Sequence, residues 1–137
     1  LAELGLDDST ICAALLHDIA EDTEVSIQDL AKEFSEEIAE MVDGVTKLGN
    51  LKYTSAEEQQ VEKYRKMFLA MGKDIRVILI KLADRLHNIR TVDSLRPARQ
   101  ITFCSETMNI FVPIAISITP PANVAYVRQR VPNTLPI

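Results

Sequence analysis

The chain of 137 residues is the size of one ordinary domain and is long enough to bury a core. With 47% apolar and 26% charged side chains and only 4 glycines, the composition is that of a soluble, helix-rich globular protein and excludes a disordered or fibrous chain. A net charge of −5 argues against a nucleic-acid surface of the usual kind, and the apolar run Val77–Ile80, cut by Lys81, is far short of a membrane span. Neither DNA, RNA nor membrane binding is therefore expected.

The charge is unevenly placed. Residues 1–62 carry 16 acidic and 3 basic side chains, whereas residues 63–137 carry 4 acidic and 12 basic ones. An acidic half collects cations and a basic half can receive phosphates; solvated helix faces would give the same count. Cys12 and Cys104 have no zinc spacing, and the expectation is two buried free thiols in a reducing compartment. No secretory signal is visible, and the chain opens without Met inside what reads as structure, as if its beginning were missing.

In chain order, Asp7, Asp8 and Ser9 are N-cap candidates for a helix running toward His17, with Ile11, Ala14 and Leu15 as its buried stripe. Ser26 and Asp29 predict a weak capping box for a short helix through Phe34. Ser35 caps a third helix whose inward face is Ile38, Met41, Val42, Val45 and Leu48. Gly49 and Asn50 end it and open a polar loop. A long charged helix follows from about Thr54, with Val61, Tyr64, Met67 and Phe68 inward, until Gly72 breaks it. Asp74 starts a strongly apolar helix through Ile89, expected to be the central buried one. A last helix covers about Ala98–Phe111, and Pro120, Pro121, Pro132 and Pro136 make the tail from Ile116 irregular. The fold class is all-α.

Two short stretches carry chemistry. In His17-Asp18-Ile19-Ala20-Glu21-Asp22, if helical, His17 pairs with Glu21 and Asp18 with Asp22 at i, i+4. Three carboxylates this close repel one another unless a cation lies among them, and imidazole with carboxylates suits Mn²⁺, Zn²⁺ or Fe²⁺ better than calcium. The bland alternative is a solvated helix end. In the second stretch Asp84, Asn88 and Thr91 form one polar stripe on the most apolar helix, where a charge needs a partner. That partner is either Arg85 or Arg76 in a salt bridge, or a metal shared with His17 and Asp18. His87 lies beside the stripe and reads as a hydrogen-bonding core histidine or one supporting the site.

The words Ala13-Ala14-Leu15-Leu16-His17-Asp18-Ile19-Ala20-Glu21-Asp22-Thr23, Val42-Asp43-Gly44-Val45-Thr46-Lys47-Leu48, Tyr64 to Met71, Asp74 to Asn88 and Glu106 to Ala115 resemble the HD superfamily of metal-dependent phosphohydrolases. Within it they are similar to the hydrolase domain of the RelA/SpoT-type bifunctional (p)ppGpp enzymes of the stringent response. The resemblance covers about residues 1–115 and implies a multi-helix HD fold, incomplete at its N-terminus, with residues 116–137 as a divergent tail. It implies one divalent metal, usually Mn²⁺, on His17, Asp18 and Asp84, with a further ligand His upstream of Leu1. Glu21 and Asp22 would position or activate the attacking water, and Asn88 and Thr91 would contact the guanosine nucleotide. The implied reaction is hydrolysis of the 3′-pyrophosphate of guanosine tetra- or pentaphosphate to GDP or GTP and pyrophosphate, in the cytoplasm or in a plastid.

Lys47, Lys81 and Arg85 are positioned to offset phosphate charge. The tail departs from the family continuation, as a shifted reading frame would make it, and no synthetase domain follows in this chain. Without the upstream His the alternative is a catalytically inactive fragment that at most binds nucleotide or a partner protein. A third reading, an HD phosphohydrolase of another nucleotide, is disfavoured by the long match after Asp84.

Overall fold

A computed structural model of the chain describes residues 1–49 and 56–118. Asn50, the polar loop and Thr54 therefore lie outside the described residues, as does most of the expected irregular tail. Among the described residues there is no strand, so the all-α expectation holds. The chain divides into two compact units, Leu1–Ser94 and a second beginning at Leu95.

In the first unit a 3-10 turn, Ala2–Leu4, precedes α1 (Asp8–Leu16), α2 (Ile19–Asp22), α3 (Ile27–Glu33), α4 (Glu36–Gly49), α5 (Ala56–Lys73) and α6 (Ile75–Ile89). The starts are chemically specified. Asp7 accepts the Thr10 amide at 2.7 Å and the Thr10 hydroxyl at 2.6 Å. Ser26 and Asp29 form a complete reciprocal capping box, stronger than the sequence pattern suggests. The Ser35 hydroxyl accepts the Ile38 amide, and Asp74 accepts the Arg76 amide.

The core holds Ala13, Leu30, Ala39, Met41, Val42, Val45, Leu48, Met67, Val77, Ile78 and Ile80. The central helix is α4, which packs against α1, α2, α3, α5 and α6, and not α6 as the apolar run suggested. One reason is Gly44. A Cβ there would sit 3.0 Å from Val77 Cγ2 and 3.2 Å from Cγ1, so the missing side chain lets α4 and α6 approach closely. Gly44→Leu is expected to destabilise the chain by about 1–3 kcal/mol, as overpacking does. Gly44→Ala should be close to neutral, because its gain in helix propensity of about 1 kcal/mol opposes the squeeze on Val77. Urea denaturation of both variants checks this, and Val77→Ala should relieve the leucine variant.

Five expectations about faces, breaks and burial are corrected. On α1 the inward residues are Thr10 and Ala13, while Leu15 is 83% exposed on the opposite side. Among the described side chains of α5, Val61 onward, only Met67 is buried; Phe68 and Val61 are exposed, and the helix runs past Gly72 to Lys73. Gly72 has ordinary helical geometry, and the stop comes from Asp74 capping the next helix. His87 is exposed and belongs to no core. The thiols are free, but Cys12 is half-buried and Cys104 exposed.

In the second unit α7 (Pro97–Glu106), a π-helical segment (Thr107–Phe111) and α8 (Val112–Ile118) form one continuous rod. Pro113 explains the π turn. It lacks an N–H and its ring would strike the carbonyl four residues back, so the ladder widens before it, with the Val112 amide reaching back to the Thr107 carbonyl. Helix therefore extends to Ile118, beyond the Phe111 expected. By length and composition alone, with a mean hydropathy of 1.5 over an 18-residue window, the helix Pro97–Ile118 could cross a membrane, which the sequence analysis did not anticipate.

Candidate metal centre

Three polar side chains converge in the first unit from two helices far apart in sequence. α1 ends at Leu16 and α2 begins at Ile19, with the Asp18 carbonyl accepting the Glu21 and Asp22 amides. The helix hydrogen-bond ladder thus breaks at the His-Asp pair, and the expected continuous His17–Glu21 row does not form. What forms instead is an oriented imidazole. His17 Nδ1 lies 2.6 Å from the Ala14 carbonyl oxygen, which can only accept, so Nδ1 carries a proton. His17 Nε2 then points away from the backbone toward two carboxylates, 3.0 Å from Asp18 Oδ1 and 3.7 Å from Asp84 Oδ1.

That nitrogen is buried and has no hydrogen-bond partner. With the proton on Nδ1, Nε2 presents a lone pair to two acceptor oxygens, an arrangement that a cation bound among them stabilises. The orphaned nitrogen and the mixed N/O donors fit a divalent transition metal, with His17, Asp18 and Asp84 as the residues that would hold it. The donors stand open: among the described residues no three His, Cys, Asp or Glu side chains already close round one point. Asp18 is the looser arm, its side chain 62% exposed against 15% for Asp84.

Asp84 is held from both sides on α6. Lys81 Nζ donates to Oδ2 at 3.0 Å and Asn88 Nδ2 donates to Oδ1 at 2.6 Å. Lys81 is therefore the ion-pair partner of Asp84 and displaces Arg76 from the sequence-based candidates; Arg76 reaches Asp74, Asp7 and Glu37 instead. Orienting partners of this kind fix a ligand's direction. Asn88 and Thr91 continue the stripe, the Thr91 hydroxyl donating to the Asn88 carbonyl at 3.3 Å. Lys47 is paired with Asp43 on α4.

Glu21 and Asp22 are exposed on α2, and no hydrogen bond joins their side chains to His17, Asp18 or Asp84. Glu21 lies over the end of α4, where a Cβ on Gly49 would be 3.1 Å from its Oε1. A cavity of about 570 Å³ between α4, α5 and α6 includes Met41, Leu48, Leu69 and Val77 in its lining but none of the three converging residues. The donor chemistry, not the cavity, marks the site.

An HD domain profile matches residues 1–117, a stretch that takes in nearly all of the long helix of the second unit. The chain belongs to the HD domain family. A probable guanosine-3′,5′-bis(diphosphate) 3′-pyrophosphohydrolase of Synechocystis sp. is 52% identical over 115 residues, which is 84% of this chain and 15% of the relative. The bifunctional (p)ppGpp synthase/hydrolase SpoT of Escherichia coli K12 is also 52% identical over 115 residues, 84% of this chain and 16% of the relative. A GTP pyrophosphokinase of Myxococcus xanthus is 48% identical over 118 residues, again 84% and 16%. The chain thus spans about one sixth of the length of these curated relatives.

Proposed function

We propose that this chain is the catalytic core of a (p)ppGpp 3′-pyrophosphohydrolase. The observation that carries the reading is the orphaned, buried Nε2 of His17 facing Asp18 and Asp84, in a chain 52% identical to relatives named for that hydrolysis. The cofactor in this reading is one Mn²⁺, the setting is the cytoplasm of a cell running a stringent response, and the partner is the guanosine nucleotide.

A divalent cation held there supplies Lewis acidity toward a phosphoryl oxygen. The protein's own groups do the rest. Lys81 neutralises part of the Asp84 charge, which limits repulsion of an incoming polyphosphate. Asn88 spends one amide hydrogen on Asp84 and keeps its side-chain oxygen for the nucleotide, with Thr91 one turn on. Glu21 or Asp22 accepts a proton from the attacking water as its oxygen bonds to phosphorus. The 3′-oxygen leaves and takes up a proton as the hydroxyl of GDP or GTP, and pyrophosphate carries the water's oxygen.

The test is incubation of the chain with ppGpp and Mn²⁺, with products separated by anion exchange. GDP and pyrophosphate in equal amounts are expected, and Glu21→Gln with Asp22→Asn should lower turnover by about 10²–10⁴-fold, the usual worth of a general base. Metal affinity should stay within twofold. No hydrolysis at any Mn²⁺ concentration would reject the reading. The open donor set favours one second reading, a domain that binds nucleotide without turning it over. Saturable ppGpp binding without products would select it.

A further inference from the structure

A second polar cluster lies away from the converging donors. Arg76, two residues into α6, reaches three carboxylates. Its Nη2 is 2.7 Å from Asp74 Oδ2, and Nη1 is 2.7 Å from Glu37 Oε1 and 3.1 Å from Asp7 Oδ2. Nε adds two contacts of 3.0 Å to Asp74. These carboxylates sit at helix starts: Asp7 caps α1, Asp74 caps α6, and Glu37 is in the first turn of α4. Ser9 Oγ donates to Glu37 Oε2 at 3.0 Å, a second tie between α1 and α4. One guanidinium therefore gathers the starts of three helices. The Asp74 carboxyl is held below the usual range mainly by the Arg76 hydrogen bond, and the Asp7 carboxyl mainly by Thr10, with Arg76 adding to it.

The cluster has a geometric consequence for the metal centre. α1 and α6 touch at their starts through Asp7–Arg76 and again downstream through His17–Asp84, so they run parallel. The two contacts are separated by about 12–15 Å along the helices at 1.5 Å rise per residue. Between them the inward residues are Thr10 and Ala13 on α1 and Val77, Ile78 and Ile80 on α6. Small and aliphatic side chains set how close two helices lie but resist sliding and rotation weakly. Directional charged contacts at one end fix the register for the other.

We propose that Arg76 is the positioning residue of the His17–Asp18–Asp84 centre, its guanidinium locking α1 and α4 onto α6 in the register where His17 meets Asp84. This rests on the metal reading of that centre, and the test separates the two. Mn²⁺ is titrated into the full chain, with binding followed by electron paramagnetic resonance of the free ion, for wild type, Arg76→Gln, Arg76→Lys and Asp7→Ser. Asp84→Ala is the control. Arg76→Gln should bind Mn²⁺ about tenfold more weakly at unchanged helix content, the low end of what losing an orienting partner costs a metal site.

Arg76→Lys should recover part of the affinity, because a point charge cannot span three carboxylates. Asp7→Ser keeps the cap on α1 while cutting one arm of the clamp, and should weaken binding by about threefold; it carries the test if Arg76→Gln fails to fold. A metal-free arm reads the ¹⁵N resonance of the His17 ring. Asp84→Ala should shift it in the wild-type background and leave it unmoved in the Arg76→Gln background. If wild type binds no Mn²⁺, the metal reading fails and the ring resonance alone decides the clamp. Equal affinities together with equal ring shifts in both backgrounds would overturn the proposal.

Discussion

Asp84→Ala is expected to abolish metal binding, with Mn²⁺ affinity falling at least about 100-fold, beyond the range for loss of a merely orienting partner. Asp84 is the only one of the three donors fixed by partners on both oxygens, from Lys81 at one and Asn88 at the other. Asp18 is mostly in water and the His17 ring offers a single nitrogen, so neither replaces a lost carboxylate. The truncation also leaves the Lys81 ammonium, only 19% exposed, beside the site without its counter-charge, which repels a cation further. Asn88→Ala should separate the roles: it removes one hydrogen bond from Asp84, with a smaller effect on metal than on nucleotide. Titration of Mn²⁺ into each variant reads this directly. Equal affinity in wild type and Asp84→Ala would remove Asp84 from the ligand set.

Ile80→Ala should cost about 2–5 kcal/mol of folding free energy, the range for truncating a buried aliphatic chain where the surroundings cannot collapse. Ile80 is 1% exposed and lies one turn before Asp84 on the same face of α6. Domains of this size have about 5–15 kcal/mol in total, so the variant should lose a large share of its stability. Urea denaturation followed by circular dichroism gives the value. A loss below about 1 kcal/mol would mean that the α6 seam is loosely packed, contrary to the burial seen.

The distinction between what could and could not be read from sequence follows the range of each interaction. Asp7, Ser26 with Asp29, Ser35 and Asp74 were legible as caps because a cap bonds an amide two or three residues away. The helix breaks at Gly72 and Phe111 were misjudged because one depends on the neighbour's cap and the other on how the backbone widens ahead of Pro113. Faces failed where a helix buries small residues. Periodicity weights Leu15 over Thr10 and Ala13, but the inner face of α1 is narrow and leaves Leu15 in solvent.

For the site, the His17–Asp84 meeting joins residues 67 positions apart; the need of a buried Asp84 for a partner offered it as one of several pairings, and the family resemblance singled it out. Lys81 and Asn88 were available from i, i+3 and i, i+4 spacing alone. Arg76 was not, since its partners Asp7 and Glu37 lie in other helices; a cation two residues after a capping Asp was the one signal present. Glu21 and Asp22 remain roles implied by resemblance and proposed on that basis.

In the proposed metal centre His17 is at once a ligand and the stop of α1. Its Nδ1 takes the Ala14 carbonyl, one of the last backbone acceptors that the helix leaves open. Donor orientation is therefore tied to the fraying of a nine-residue helix rather than to global stability. When the last turn of α1 opens, the ring and the carbonyl part together and Nε2 loses its aim. Amide exchange in that turn should then slow when the metal binds, while exchange at the buried positions of α4 follows the unfolding of the whole unit.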